Sequence, residues 1–177
     1  MRTASRIVGV AMLAAMAGPA IALAQGSGAE ARLKQLNITL PADQAPAANF
    51  VNSVQTGKLL FLSGNTPGGQ WPLKGKVGKD LTVEQGYQSA RQAGVIMLSK
   101  MRTALGSLDR VKRIVKVLGL VNSAEDFSDQ PKVVNGFSDL MVEVFGEAIG
   151  KHARSAVGMA GLPGNAPVEV EMIVEVE

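Results

Sequence analysis

Residues Val168 to Val176 alternate without a break. Val168, Val170, Met172, Val174 and Val176 share one side, and Glu169, Glu171, Ile173 and Glu175 share the other. A period of two is the signature of a strand, because successive side chains leave a strand on opposite faces. One side is wholly apolar and the other mostly acidic. The chain therefore needs a sheet covered by packing on one face, and something else must supply the covering layer.

Two segments fit that role. Val83, Tyr87, Ala90, Gly94, Met97, Met101 and Ala104 recur at steps of four and three, the stripe of one helix face. Thr82 is placed to cap this helix, with Gln85 at the return position of a capping box and Gly106 just beyond its end. A second helix is predicted over residues 131–146, with Val133, Phe137, Leu140, Met141, Val144 and Phe145 on its stripe. At that spacing the Met and Phe residues read as core, not as cofactor contacts.

Strands are predicted at residues 58–62, 111–121, 154–161 and 168–176. The last two are expected to pair as a hairpin across the Leu162–Pro167 turn segment. The resulting order is strand, helix, strand, helix, strand, strand. It predicts an α+β fold, a mixed sheet with two helices packed on one face. Thr66 to Asp80 holds four glycines, two prolines and Trp71 and reads as a long loop. Gly75-Lys76-Val77-Gly78-Lys79 within it lacks phosphate-loop spacing and reads as a solvated stretch.

The N-terminus reads as an export leader. Arg2 and Arg6 precede an uncharged, mostly apolar run from Ile7 to Ala17, and Ala22-Leu23-Ala24 is a small-x-small cleavage site ahead of Gln25. The run is too short to span a bilayer, which takes roughly 20 apolar residues. The expected organisation is a signal peptide over 1–24, a linker and lead-in segment over 25–49, and the folded domain over 50–177. After cleavage no stable membrane anchor is expected, and the mature protein is expected to be periplasmic or secreted.

Cleavage changes the electrostatics. It removes two of the eighteen basic residues and none of the fifteen acidic ones, which leaves a net charge of +1. A near-neutral domain is poorly suited to nucleic acid, whose binding rests on phosphate neutralisation, so no nucleic-acid partner is expected. There is no cysteine and one histidine, His152. Thiol chemistry is excluded, a histidine-built metal site is not expected, and neither metal nor cofactor is assigned.

The residues best suited to ligand chemistry are Arg154 and Glu169. A strand-opening arginine can hold a carboxylate with its planar fork. Glu169 follows fifteen residues later across the expected turn, so a hairpin would bring both side chains to one mouth of the sheet. On spacing alone the pair reads first as an ion pair on an exposed sheet face, because Glu-Val-Glu alternation usually marks a solvated face.

The run Arg154-Ser155-Ala156-Val157-Gly158-Met159-Ala160-Gly161-Leu162-Pro163, followed by Val168-Glu169-Val170-Glu171, resembles the C-terminal signature of the RidA/YjgF family. Gly57-Lys58-Leu59-Leu60-Phe61-Leu62-Ser63-Gly64 resembles that family's first core hairpin. The resemblance implies a chorismate-mutase-like fold, assembly as a homotrimer, and ligand clefts between subunits. It also implies hydrolysis of reactive enamine and imine acids to 2-keto acids and ammonia without a cofactor. By that likeness Arg154 grips the substrate carboxylate and Glu169 activates water, while Ser63, Gly64 and Asn135 line the cleft. Phe50 stands where active members commonly have tyrosine, and Ala156 replaces a common cysteine. Two extra residues separate Asn135 from Arg154. These departures resemble a divergent branch that carries an endoribonuclease label. Three functions follow as expectations: imine hydrolysis, capture of a small carboxylate without turnover, and RNA cleavage.

Overall fold

The computed structural model describes residues 28–177. The leader expected over residues 1–24 lies outside them. The first described element is a short helix, α1 (Ala29–Gln35). It is followed by strands β1 (Ser53–Thr56) and β2 (Leu59–Asn65), helix α2 (Val83–Leu105) and strand β3 (Val111–Asn122). Helices α3 (Gln130–Phe145) and α4 (Glu147–Gly150) precede strands β4 (Ala153–Met159) and β5 (Val168–Val176).

The local signals act where they stand in the chain. The Thr82 hydroxyl accepts the Gln85 backbone N–H, and the Gln85 side chain accepts the Thr82 N–H. This closed capping box starts α2 and contributes about 1 kcal/mol. Gly106 ends the helix at φ 78°, a left-handed conformation suited to glycine. All six residues of the α3 stripe are buried. The α2 stripe is wider than expected: Ser89, Ala93 and Leu98 are buried beside Met97 and Met101, whereas Ala104 is exposed. The two helices meet closely at Gly136, where an added Cβ would strike the backbone carbonyl of Tyr87.

The five strands form one sheet in the order β1-β2-β5-β3-β4. β1 and β2 make a hairpin. β5 runs antiparallel to both β2 and β3, and β4 runs parallel to β3. The apolar side of β5 is buried beneath α2 and α3 and is continuous with Ile114, Val117 and Val121 of β3. The fold is α+β, with both long helices on one face of a mixed sheet.

The expected hairpin between the last two strands does not form. β3 lies between β4 and β5. Helix α3 connects β3 to β4, and a crossover through a helix returns the chain as a parallel neighbour. β5 is buried by the helices and fills the slot between β2 and β3, where both of its edges find backbone partners. Residues 160–167 carry the chain past β3 to that slot.

Two loop readings also change. The segment read as a linker is packed from Ala29 onward. Leu33 of α1 is buried, and Glu30 takes the Arg102 guanidinium at 2.6 and 3.0 Å and the Leu108 N–H at 3.1 Å. Farther on, Asp43 meets the buried Lys100 ammonium at 3.0 Å. The Gly75–Lys79 stretch is not a solvated loop either. Val77 is fully buried, and Lys76 donates to Asn122 Oδ1, the Ser123 carbonyl and the Ala160 carbonyl. Among the described residues no helix is long and apolar enough to cross a membrane.

Candidate functional site

β4 is an edge strand, and its register decides where Arg154 points. Arg154 lies opposite the buried Val117, so its side chain leaves the sheet on the helix-covered face. There α3 receives it. Nη1 donates to Asn135 Oδ1 and to Ser138 Oγ, each at 2.9 Å, and Nη2 donates to the Pro131 carbonyl at 3.3 Å. Residues 131, 135 and 138 recur at helical spacing, so one edge of α3 supplies all three acceptors. Arginine has five N–H donors. Three are engaged, which leaves Nε–H and one hydrogen of Nη2, an edge able to hold a carboxylate through two bonds. Burial lowers the Arg154 pKa from its ordinary value, with Asp139 acting in the opposite sense. Ala156 follows on the same face, packed against the core.

Glu169 occupies the other face. It lies opposite Leu120 on the uncovered side of the sheet, and its carboxylate leans over Gly64 of β2. A Cβ on Gly64 would collide with that carboxylate, so glycine there leaves the space the acid uses. Burial, foremost, and the neighbouring Glu171 raise the Glu169 pKa above its ordinary value. Among the described residues no cation lies within ion-pair distance of Glu169. Ser63 donates its hydroxyl to the Val51 carbonyl at 2.7 Å and its N–H to the Asn52 carbonyl.

Beside these residues the uncovered face holds a concavity of about 580 Å³, bounded by Phe50, Phe61, Ser63, Lys116, Ser155 and Glu171. The Phe50 ring is 57% exposed. Lys116 donates to Ser155 Oγ at 2.8 Å.

The expected site residues therefore form two groups. Arg154, Asn135 and Ala156 lie at the helix-covered edge. Phe50, Ser63, Gly64 and Glu169 lie on the open face. Arg154 and Glu169 do not share a mouth within one chain, because β3 separates their strands and their side chains leave opposite faces. Nor are they an ion pair. The sequence reading passed over Ser138, although its position three residues after Asn135 on a helix was a usable signal. It also passed over Lys116 and Ser155, whose partnership depends on strand order. Among the described residues there is no cluster of three or more metal-ligating side chains.

A family profile described as "YjgF/chorismate mutase-like, putative endoribonuclease" matches residues 30–176, essentially the whole described fold. The chain belongs to the RidA/YjgF family. Protein TCP17 of Trypanosoma cruzi is 48% identical over 149 residues, a match that covers 82% of this chain and 92% of that protein. Among solved structures, Atu1372 of Agrobacterium tumefaciens, described as of unknown function, superposes with a TM-score of 0.77 at 41% identity. That match covers 84% of this chain and 93% of the other. A Shewanella oneidensis protein described as an endoribonuclease of the same provisional kind superposes at 0.80 with 32% identity, covering 85% and 100%. The family profile begins at residue 30, inside α1, in keeping with the packed N-terminal segment.

Proposed function

We propose that this RidA/YjgF protein is exported, assembles as a homotrimer, and hydrolyses small enamine or imine acids in clefts between its copies. One observation carries the reading. Arg154 is fixed at an edge strand with a free donor edge, whereas Glu169 sits unpaired on the opposite face. A single chain thus holds two halves of a carboxylate-handling site that only a second copy can join. The open face supports such an assembly. Phe50, Val54 and Phe61 are 57%, 56% and 40% exposed there, a density of apolar surface that favours burial by a partner.

In that cleft the Arg154 edge binds the substrate carboxylate. An enamine acid tautomerises to the imine, its terminal carbon gaining a proton as its nitrogen loses one. Glu169 takes a proton from water as the oxygen bonds to the imine carbon, and the nitrogen is protonated. Glu169 takes the hydroxyl proton of the resulting carbinolamine and passes it to the nitrogen, so that the C–N bond breaks to release ammonia and the carbonyl of a 2-keto acid forms. A carboxyl with a raised pKa is suited to both directions of proton transfer. No cofactor takes part. Coupled assay of ammonia and 2-keto acid release tests the reading: Arg154→Ala is expected to cut kcat/KM by about a hundredfold or more. A wild-type rate equal to that of the variant rules turnover out.

A second reading has its own observation. Phe50 brings a ring but no hydroxyl to the concavity, which favours capture of a carboxylate without turnover. Calorimetry with 2-keto and aromatic acids separates the two readings, because binding without ammonia release selects capture. RNA cleavage has the least support. The open face carries Glu169, Glu171 and Glu175 of β5, Arg113 lies opposite Glu175, and Lys116 is engaged by Ser155, a charge balance poorly suited to a phosphate backbone. Export is tested by sequencing the N-terminus of the periplasmic or secreted protein, which is expected to begin at Gln25.

A further inference from the structure

His152 is the chain's single histidine, and it lies behind Arg154. Its ring packs edge-on against Phe137, with centroids 6.4 Å apart. Nδ1 is 2.6 Å from the Gly150 carbonyl oxygen. A carbonyl only accepts, so Nδ1 carries a proton in both charge states, and the neutral ring has a bare Nε2. That Nε2 is 3.1 Å from Ser138 Oγ. The same oxygen receives Arg154 Nη1 at 2.9 Å. Arginine has no acceptor, so the hydroxyl accepts from Arg154 and gives its own hydrogen to Nε2. The chain of bonds runs from Arg154 through Ser138 and His152 to the Gly150 carbonyl, with every proton assigned.

Protonating the ring breaks this order. Nε2 becomes a donor, the Ser138 hydrogen must turn away, and one hydroxyl oxygen faces two cations. Among the described residues, the groups around the ring offer the imidazolium no acidic partner. Strand β4, which begins one residue after His152, supplies Arg154. Helix α3 supplies Asp139, which is bonded to the Tyr87 hydroxyl and acts on Arg154. Helix α4 supplies Glu147, which is exposed and paired with Lys151. Burial, first, and the Arg154 charge lower the His152 pKa, and the Gly150 carbonyl partly opposes them.

We infer that His152 is a positioning residue for Arg154: in its neutral form it holds Ser138 in the orientation that fixes the guanidinium, and its protonation loosens carboxylate capture. The inference rests on the reading of Arg154 as the carboxylate grip, and its test separates the two.

The test uses the purified full-length protein. With one histidine, a ¹⁵N-histidine NMR titration reports this ring alone, and the Arg154 Nε–Hε signal is assigned by its loss in Arg154→Lys. The Arg154 signal is expected to shift with the histidine midpoint in wild type and to be independent of it in Ser138→Ala. Calorimetry with pyruvate from about pH 8 to about pH 5 is expected to show affinity falling roughly tenfold through that midpoint. His152→Gln, which cannot titrate, is expected to lose the step at the histidine midpoint and to keep only the titration of Glu169, whose pKa burial raises. An Arg154 signal that ignores the histidine, or pyruvate binding that tightens as the ring is protonated, overturns the inference. If pyruvate binds at no pH, the carboxylate reading fails, and the Arg154 signal still decides the coupling.

Discussion

The two faces of the sheet use the same strands for opposite ends. On the covered face, Val168, Val170, Met172, Val174 and Val176 of β5 are buried against two helices whose apolar stripes match them. Arg154 is the exception there, and it sits at the edge with three acceptors from α3. On the open face, acids, Lys116 and exposed aromatic rings lie side by side, and Glu169 is half-buried without a cation. The covered face is buried within one chain, and the open face leaves Phe50, Val54 and Phe61 exposed. The tightly packed core is thus built on one side of the sheet, with Arg154 at its edge, and the exposed apolar rings and the cation-free acid are on the other.

The sharpest way to break this comparison is to place the same charge on each face. Val174 is fully buried, and Val174→Asp leaves an unpaired carboxylate beneath the helices. That costs several kcal/mol, a large share of the roughly 5–15 kcal/mol that holds an ordinary domain together. The cooperative thermal transition is expected to disappear. Phe61 lies opposite Ile173, next to Val174 in the ladder but on the open side. Phe61→Asp is expected to keep the fold by circular dichroism while sedimentation shows the assembly reduced to single chains. A folded variant that still assembles like wild type would remove the open face as the interface. An unfolded one would make that face part of the core.

A smaller perturbation compares one methyl group on each side. Gly136→Ala pushes a Cβ into the Tyr87 carbonyl, so α2 and α3 must separate. About 2–3 kcal/mol of destabilisation is expected from denaturant midpoints. Ser155→Thr adds a methyl on the open face and keeps the hydroxyl that Lys116 bonds. It is expected to cost less than about 1 kcal/mol. Equal losses would mean that the open face is packed as tightly as the covered one.

The features readable in the sequence are those that a few neighbouring residues determine. Thr82, Gln85 and Gly106 mark both ends of α2 through local hydrogen bonds and one left-handed turn. The β5 alternation and the α3 stripe place their buried faces correctly. Strand order was not readable, because Leu59 pairs with Glu175 across most of the chain and no local residue encodes that choice. Helix α1 escaped because its seven residues bury only Ala29 and Leu33, too few to show a period. β1 has four residues and a single apolar side chain. The site was half readable. Residue chemistry singled out Arg154 and Glu169, but their relation depends on the face each side chain takes. A β4–β5 hairpin would put both on one face, and β3 between the two strands puts them on opposite faces.

The smallest expected effect tests the open face through its acid. Burial raises the folded-state pKa of Glu169 above its ordinary 4.5. The folded chain therefore binds this proton more tightly than the unfolded chain does. Below pH 4.5 the group is protonated in both states and costs nothing. As pH rises through the folded value the carboxylate ionises in a partly desolvated place, and the protein loses stability relative to its acid form. Glu169→Gln removes that loss. The variant is expected to melt slightly higher than wild type at neutral pH and at the same temperature near pH 4, while losing ammonia release. Gain of stability with loss of turnover is the pattern of a group held at a cost for its chemistry. A variant less stable than wild type at neutral pH would instead make Glu169 a structural acid and leave the open face without a reacting group.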